Sequence, residues 1–282
     1  MRWDRDHESP DLIDRRGESG GSGMGGLLPF LPLLLRSPIG WLVLVALGLL
    51  WVFRGALGFL GGGTRGQSGP LAHGADDPAH FVAFVLDDTQ ATWERELAAR
   101  GAHYRHAKLV LYTDATQTGC GYGDAATGPF YCPADERVYI DLGFYRELSQ
   151  RLGARGEFAQ AYVVAHEVGH HVQKLLGISD RVPSRSRGET SASVRLELQA
   201  DCFAGIWAHS TNERNLLEAG DIDSAIGAAK AVGDDRLQRQ ASGVVSPEKW
   251  THGSSAERAR WFKRGFDTGS IDACDTFAAK QL

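Results

Sequence analysis

Residues 161–177 constrain the fold most, because this segment, AYVVAHEVGHHVQKLLG, places ionisable side chains inside an apolar helical pattern. His166 and His170 are four positions apart, so a helix presents both imidazoles on one face, with Cβ atoms about 5–6 Å apart. The surrounding valines, alanines and leucines predict a largely buried helix. Two imidazoles on one face favour a shared metal ion, and the alternative is an ordinary amphipathic helix whose histidines are solvated.

The same residues form the pattern H-E-x-x-H, whose expected chemistry is metal-assisted hydrolysis. Zinc binds neutral histidine nitrogens at about 2.0–2.1 Å. Glu167 is turned away from the two histidines, so we expect it to contact water activated by the ion rather than the ion itself. Gly169 costs about 1 kcal/mol relative to alanine in a helix interior, a cost that an accidental pattern would rarely carry. We therefore expect one catalytic Zn²⁺ ion here.

The composition suits a membrane segment together with one or two globular units. The chain has 282 residues, of which 43% are hydrophobic and 23% are charged. Its net charge of −5, without a basic stripe, argues against nucleic acid as the main partner. We expect no organic cofactor.

The first 76 residues divide into a polar tail, an apolar segment and a linker. Residues 1–26 mix charges with Gly and Ser and predict a disordered tail. Residues 27–60 form the predicted membrane segment, in which a helix over residues 38–60 would extend about 34 Å, enough to cross a bilayer. A buried or interfacial helix is the alternative, because Arg36, Arg54 and three prolines interrupt the segment. Residues 61–76 predict a flexible linker, and the catalytic domain takes residues 77–282.

The distribution of arginines predicts the orientation of the span. Before it stand Arg2, Arg5, Arg15, Arg16 and Arg36, and just after it stand Arg54 and Arg65. The positive-inside tendency therefore places the amino terminus in the cytoplasm. The predicted protein crosses the lipid bilayer once, and its catalytic domain lies outside the cytoplasm.

Four cysteines indicate an oxidising environment. Cys120 and Cys132 flank a Gly-rich, hairpin-like stretch, which leaves Cys202 and Cys274 as a possible second pair. An even number suits disulfides, although four cysteines allow three pairings and the sequence does not choose among them. A structural zinc site and buried free thiols are the alternatives.

The hydrophobic periodicity of the catalytic domain predicts an α+β fold in which helices dominate. Helices are expected over residues 78–99, 142–154, 161–177, 191–209 and 254–267, with another beginning near Asp221. Strands are expected over residues 108–113, 129–133 and 137–141, and a loop rich in Gly and Asp follows the first of them. Ser254 and Glu257 have the spacing of a capping box at the start of the last helix.

A catalytic zinc ion requires a third protein ligand. Residues 193–209, SVRLELQADCFAGIWAH, offer Glu197 and Asp201, four positions apart on one helical face. We expect Glu197 to bind zinc and Asp201 to accept the free N–H of a ligating histidine, which fixes its tautomer. The alternative is an exposed acidic face on a surface helix.

The segments HEVGH and ELQAD together resemble the gluzincin arrangement, and GPFYCPADERVYIDLGFY and WTHGSSAERARWFKRGFDTG resemble the neutral zinc metallopeptidases of bacteria, a single-span membrane family. The resemblance covers about residues 27–280. It implies a predominantly helical, zincin-like domain with a small β-sheet, in the bacterial inner membrane. It also implies His166, His170 and Glu197 as zinc ligands and Glu167 as the catalytic residue. In related peptidases the strand before the motif helix binds extended peptide along its edge, which implies that residues 137–141 align the substrate.

The predicted reaction is hydrolysis of a protein or peptide by an endopeptidase. Glu167 takes a proton from the activated water and delivers it to the leaving amine. His252 is the candidate for stabilising the oxyanion, with helix capping or a surface position as the alternatives. His171 is rotated by about 100° from His170, so we expect it to pack or to form hydrogen bonds. The competing hypothesis is a non-catalytic envelope domain that zinc stabilises and that binds partners.

Overall fold

The computed structural model describes residues 1–18, 77–124, 128–183 and 186–282. Residues 1–18 and the chain after residue 75 form one compact unit. The predicted membrane segment, residues 27–60, and the linker, residues 61–76, lie outside the described residues. Within the described ranges, no helix combines the length and the apolar composition that crossing a bilayer demands.

The prediction of a disordered tail is wrong for residues 1–18, which are folded onto the domain. Strand β1, Leu12–Asp14, pairs in parallel with strand β2, Lys108–Tyr112, and Leu12 lies opposite Leu109. The Trp3 ring packs against Phe81 with a centroid distance of 5.1 Å. Main-chain hydrogen bonds to an existing strand, with a few buried apolar side chains, compensate for ordering a segment whose composition is polar.

The main sheet has four strands, in the order β1, β2, β6 (Arg137–Asp141) and β5 (Phe130–Cys132). Strand β6 is parallel to β2, and strand β5 is antiparallel to β6. The three predicted strands are thus confirmed. The predicted loop after β2 contains a hairpin of strands β3, Ala115–Thr118, and β4, Gly121–Asp124.

The sheet order corrects the expectation that residues 137–141 align a substrate along a free edge. Strand β6 lies between β2 and β5, so both of its edges are already hydrogen-bonded within the sheet. Strand β5 is the edge strand on this side of the sheet. The sequence did not reveal this, because a short strand that returns antiparallel carries no signal of its position in the sheet.

The predicted helices are confirmed within a few residues of their expected ends. The helices are α1 Asp77–Ala98, α2 Gly143–Gln150, α3 Glu157–Leu175, α4 Ala192–Glu213, α5 Asp221–Ala231, α6 Asp234–Ser242 and α7 Ser255–Thr268. Helix α6 was not predicted. The capping box is present, because Ser254 accepts from the Glu257 amide and the Glu257 side chain accepts from the Ser254 amide.

Helix α3 is the centre of the core, and two close helix contacts position the residues around it. It contacts α1, α4, α5 and the strands β5 and β6. A Cβ at Gly169 would lie 3.1 Å from the carbonyl oxygen of Ala200, so glycine is what lets α4 approach α3 here. Helices α4 and α7 approach even more closely at Gly205 and Gly265, where a Cβ would overlap the backbone of the other helix.

All four cysteines form disulfides. Cys120 is bonded to Cys132 and Cys202 to Cys274, and no cysteine is free. The first disulfide ties the β3–β4 hairpin to the edge strand β5. The second ties α4 to a 3₁₀ turn, Ile271–Cys274, that follows α7.

Candidate metal centre

Helices α3 and α4 bring two imidazoles and one carboxylate together. Glu197 Oε2 lies 3.3 Å from His166 Nε2, and Glu197 Oε1 lies 3.5 Å from His170 Nε2. The ligand atoms of these three residues all lie within 4.8 Å of one another. The structure therefore brings the three predicted zinc ligands together.

The donor set fits zinc in its chemistry. Two imidazole nitrogens and one carboxylate oxygen are a common ligand set of catalytic zinc, which keeps a further position for water or substrate. Among the described residues, this trio is the one group of three or more acidic, histidine or cysteine side chains whose donor atoms converge in this way. The Nε2 atoms of both histidines face Glu197, so their Nδ1 atoms are left for other partners.

The Nδ1 atom of His166 is hydrogen-bonded to Asp201, in the role that the sequence predicts. The Nδ1–Oδ1 distance is 2.9 Å, and Asp201 is fully buried. The Tyr162 hydroxyl donates to the same Asp201 oxygen. A carboxylate on Nδ1 keeps the proton there and leaves Nε2 free to bind a metal ion.

The charges of this cluster shift its pKa values. Burial alone would lower the pKa of His166, but the Asp201 and Glu197 carboxylates outweigh burial and raise it to about 9. Burial alone would raise the pKa of Glu197, but the charge of His170 and the hydrogen bonds from both histidines hold that pKa well below its usual range. The charged forms of His166 and of its carboxylate neighbours therefore stabilise one another.

Sequence reasoning missed Arg258, which completes the cluster. Arg258 is 3% exposed, and its Nε and Nη2 donate to the two Asp201 oxygens at 2.8 and 3.0 Å. Its Nη2 also donates to the Tyr162 hydroxyl at 3.2 Å. The sequence did indicate that Arg258 faces the core, because Arg258 and the buried Phe262 are four positions apart on the same face of α7.

A cavity of about 750 Å³ opens beside the donor set. All three donors, Glu167 and His252 line it. Glu167 is 7% exposed and does not belong to the converging donor group. The apolar part of the lining includes Phe130, Tyr131, Phe144, Leu152, Val163 and Leu237. The cavity therefore brings the Glu167 carboxylate and the converging donor group together in one cleft with room for several side chains.

The structure places His252 in this cavity, on the loop before α7. Its Nδ1 lies 3.3 Å from Asp234 Oδ1, and its backbone amide donates to Asp234 Oδ2 at 2.6 Å. Burial alone would lower the pKa of His252, but the hydrogen bond to Asp234 and the charge of Glu197 raise it. The helix-capping alternative for this histidine does not describe its position, because Ser254 is the N-cap of α7. The surface alternative does, since the His252 side chain is 49% exposed.

His171 points away from the metal site, as its rotation on the helix predicts. Its Nδ1 is 2.9 Å from the Tyr131 hydroxyl, and its Nε2 is 2.6 Å from the carbonyl oxygen of Arg105. His171 is fully buried and lies between β5 and the segment before β2. Its role is to join these elements.

Comparison with known proteins identifies the class of this chain. A family model described as "Putative neutral zinc metallopeptidase" matches residues 1–277. The chain belongs to this zinc metallopeptidase family, and the match includes the folded residues 1–18.

Relatives in two groups of bacteria are similar over much or all of their length. The chain is 47% identical to "Uncharacterized protein YpfJ" of Escherichia coli K12 over 287 residues, covering 98% of this chain and 99% of the relative. It is 44% identical over 212 residues to "Uncharacterized protein Mb2605" of Mycobacterium bovis, covering 71% of each chain. It has the same identity and coverage with "Uncharacterized protein Rv2575" of Mycobacterium tuberculosis. No solved structure matches the chain.

Proposed function

We propose that this protein is a zinc-dependent endopeptidase of the gluzincin type. The observation that carries the proposal is the convergence of His166, His170 and Glu197 in a cavity that Glu167 also lines. Membership of a zinc metallopeptidase family supports peptide hydrolysis as the reaction. The three ligands are proposed to hold one Zn²⁺ ion.

Zinc supplies, when bound, a Lewis acid that activates water and polarises the scissile carbonyl group. Glu167 accepts the proton that the attacking water loses, and it delivers that proton to the leaving amine. His252 donates a hydrogen bond to the oxygen on which negative charge develops, and the hydrogen bond to Asp234 holds its ring in place. Asp201 and Arg258 keep His166 in the tautomer that binds metal.

The proposed substrate lies along strand β5 rather than along residues 137–141. Phe130–Cys132 is the edge strand, and Phe130 and Tyr131 line the cavity together with the metal donors. An edge strand can bind an extended peptide through main-chain hydrogen bonds. The peptide would then pass the donor set with its side chains against the apolar lining.

The proposed location is the outer face of the bacterial inner membrane, with attachment through the apolar segment, residues 38–60. The two disulfides support an oxidising compartment for the domain. In place of the cytoplasmic amino terminus and the single crossing that the sequence predicts, we propose that residues 1–18 share the compartment of the domain and that the apolar segment attaches to the membrane surface, which was the interfacial alternative. The pairing of β1 with β2 supports this change, because both strands belong to one sheet.

The test is to purify the full chain in detergent and to measure zinc content and cleavage of an unfolded protein such as casein. The Glu167→Gln variant is measured beside it. We expect both proteins to retain zinc and the variant to lose cleavage. Equal cleavage by both would remove Glu167 from the mechanism.

The competing function, a zinc-stabilised envelope domain that only binds partners, predicts a different result. Zinc would be retained by both proteins, neither would cleave, and removing zinc would lower the unfolding temperature. The structure offers less support for it, since a closed structural site takes four protein ligands, whereas three converge among the described residues.

A further inference from the structure

The two histidines of the metal centre have different partners at Nδ1. His166 Nδ1 is hydrogen-bonded to the Asp201 carboxylate. His170 Nδ1 instead lies 2.9 Å from Oε1 of Gln173, one turn further along α3. Gln173 is fully buried. The neutral Gln173 amide is therefore the Nδ1 partner of His170, just as the Asp201 carboxylate is the Nδ1 partner of His166.

The orientation of the Gln173 amide is fixed by its other contacts. Its Nε2 donates to the carbonyl oxygen of Leu196 at 2.7 Å and to Oε1 of Gln199 at 3.1 Å. A backbone carbonyl only accepts hydrogen bonds, so the nitrogen of the Gln173 amide must face Leu196 and its oxygen must face His170. His170 Nδ1 therefore carries the proton, and Nε2 is free on the side of Glu197.

Gln199 continues this chain of hydrogen bonds away from the metal centre. It is 5% exposed, and its Nε2 donates to the carbonyl oxygen of Cys274 at 3.1 Å. That carbonyl fixes the Gln199 amide in the same way, so Gln199 Oε1 faces Gln173. The carbonyl groups of Leu196 and Cys274 thus set the direction of every hydrogen bond in this network, and the network ends at His170.

Cys274 belongs to the C-terminal segment, residues 271–282, which is attached to the helix that carries Glu197. The Cys202–Cys274 disulfide joins it to α4. The Thr276 hydroxyl donates to the carbonyl oxygen of Arg195 at 2.6 Å, and Arg195 Nη1 donates to the carbonyl oxygen of Ala279 at 3.0 Å. The contacts of Arg195 precede Glu197 along α4, and the disulfide at Cys202 follows it.

We propose that Gln173 and Gln199 are positioning residues of the metal centre, and that they connect His170 to the disulfide-linked C-terminal segment. The inference rests on the zinc site of the proposed function. Loss of either amide removes the constraint on the His170 tautomer and ring orientation, so zinc binds less tightly. Loss of the Cys202–Cys274 bond removes one attachment of the segment that holds Gln199, so it should also weaken zinc binding.

The test measures zinc affinity on the purified full chain by competition with a chromophoric chelator, without substrate. Gln173→Met and Gln199→Met keep the side-chain length and remove the hydrogen bonds. Gln90→Met is the matched control, because Gln90 is equally buried and donates to Asp11, away from the metal centre. We expect Gln173→Met to weaken zinc binding about 10- to 100-fold, as for other residues that orient metal ligands. Gln199→Met should weaken it less, and the control should stay within about twofold of the unmodified chain.

A disulfide pair gives a second comparison in case the glutamine variants fail to fold. Cys202→Ala with Cys274→Ala should weaken zinc binding, whereas Cys120→Ala with Cys132→Ala should not. Equal affinities for all variants and the unmodified chain would overturn the proposal, as would equal losses in both disulfide variants. If the chain binds zinc but cleaves no protein, the proposed peptidase function fails while the positioning role stands.

Discussion

Arg258 donates two hydrogen bonds to Asp201, from Nε at 2.8 Å and from Nη2 at 3.0 Å. Both side chains are almost completely buried, and Asp201 also accepts from His166. Arg258 therefore holds the carboxylate that orients His166, a proposed metal ligand, and its own Nη2 lies 3.3 Å from both ring nitrogens of His166. Removing one partner of such a buried ion pair destabilises the fold by more than the intact pair stabilises it, because one uncompensated charge remains in the interior.

Replacing Arg258 should destabilise the protein strongly. We expect Arg258→Met to lower the free energy of unfolding by about 3–5 kcal/mol, because Asp201 loses its cationic partner. Urea unfolding of the full chain measures this. Arg260→Met is the control on the same helix, where the side chain is exposed, and it should change stability by less than about 0.5 kcal/mol. Similar losses in both variants would contradict a special role of the Arg258–Asp201 pair.

Replacing His252 should affect turnover and leave metal binding intact. We expect His252→Ala to lower kcat by about 100- to 1,000-fold, the range for loss of one donor to a developing oxyanion. Its zinc content should equal that of the unmodified chain, because His252 is not part of the donor set. Kinetics with a fluorogenic peptide, paired with metal analysis, measure both quantities. An unchanged kcat would assign oxyanion stabilisation to another group; the exposed His103 provides the matched alanine control.

The Cys120–Cys132 disulfide should stabilise the edge of the cavity. It closes a short loop, with a sequence separation of 12, for which about 2–4 kcal/mol is typical. We expect the double alanine variant to lose that amount in urea unfolding at pH 7. If its unfolding curve superimposes on that of the unmodified chain, the hairpin is held by other contacts.

The attachment of the N-terminal segment should depend on pH through Asp11. This residue is 5% exposed and contacts Lys108 Nζ and His106 Nδ1, each at 2.5 Å. Burial alone would raise the pKa of Asp11, but its hydrogen bonds to Lys108, His106 and Gln90 lower it. A lowered carboxyl pKa gives stability that is present above the unfolded value near 4 and is lost as the pH falls through the folded value.

His106 sets the upper end of the pH window. Burial alone would lower its pKa, but its hydrogen bonds to Asp11 and Glu94 raise it. Its contribution is complete below about pH 6.5, the unfolded value, and is lost as the pH rises through the folded pKa. The attachment should therefore be strongest between about pH 4 and 6.5.

Amide exchange at Leu109 reports on this attachment, because its amide donates to the carbonyl oxygen of Asp11 at 2.9 Å. We expect Asp11→Asn to reduce the protection factor of this amide at pH 5.5. The difference from the unmodified chain should shrink as the pH falls well below 4. A difference that persists there would mean that the Asp11 charge is not its cause.

The sequence predicted the features that depend on local spacing. His166 and His170 share a helical face whatever surrounds them, and the apolar pattern located the helices to within a few residues. The proposed third ligand, Glu197, requires the pairing of two helices. Its spacing from Asp201 made it a candidate, and the resemblance to a family pattern on the second helix supported that choice. Gly169 indicated that pairing, because the free energy that glycine costs within a helix has to be offset, here by the close approach of α4.

The features that the sequence did not predict depend on contacts between distant segments. Strand β1 gains its stability from β2, so a polar composition alone predicted disorder. The position of β6 inside the sheet is set by β5, a strand of three residues. The Arg258–Asp201 pair and the Gln173–Gln199 pair each require the packing of elements whose mutual orientation no periodicity specifies.

Strand β1 has a consequence for any shortened form of this protein. A chain that starts at Asp77 would keep every proposed metal ligand and still lack the outer strand of the sheet. The free side of β2 would then present unpaired amide and carbonyl groups along five mostly buried residues. An unpaired strand edge can pair with a neighbouring molecule, so we expect the first eighteen residues to limit self-association as well as to complete the fold.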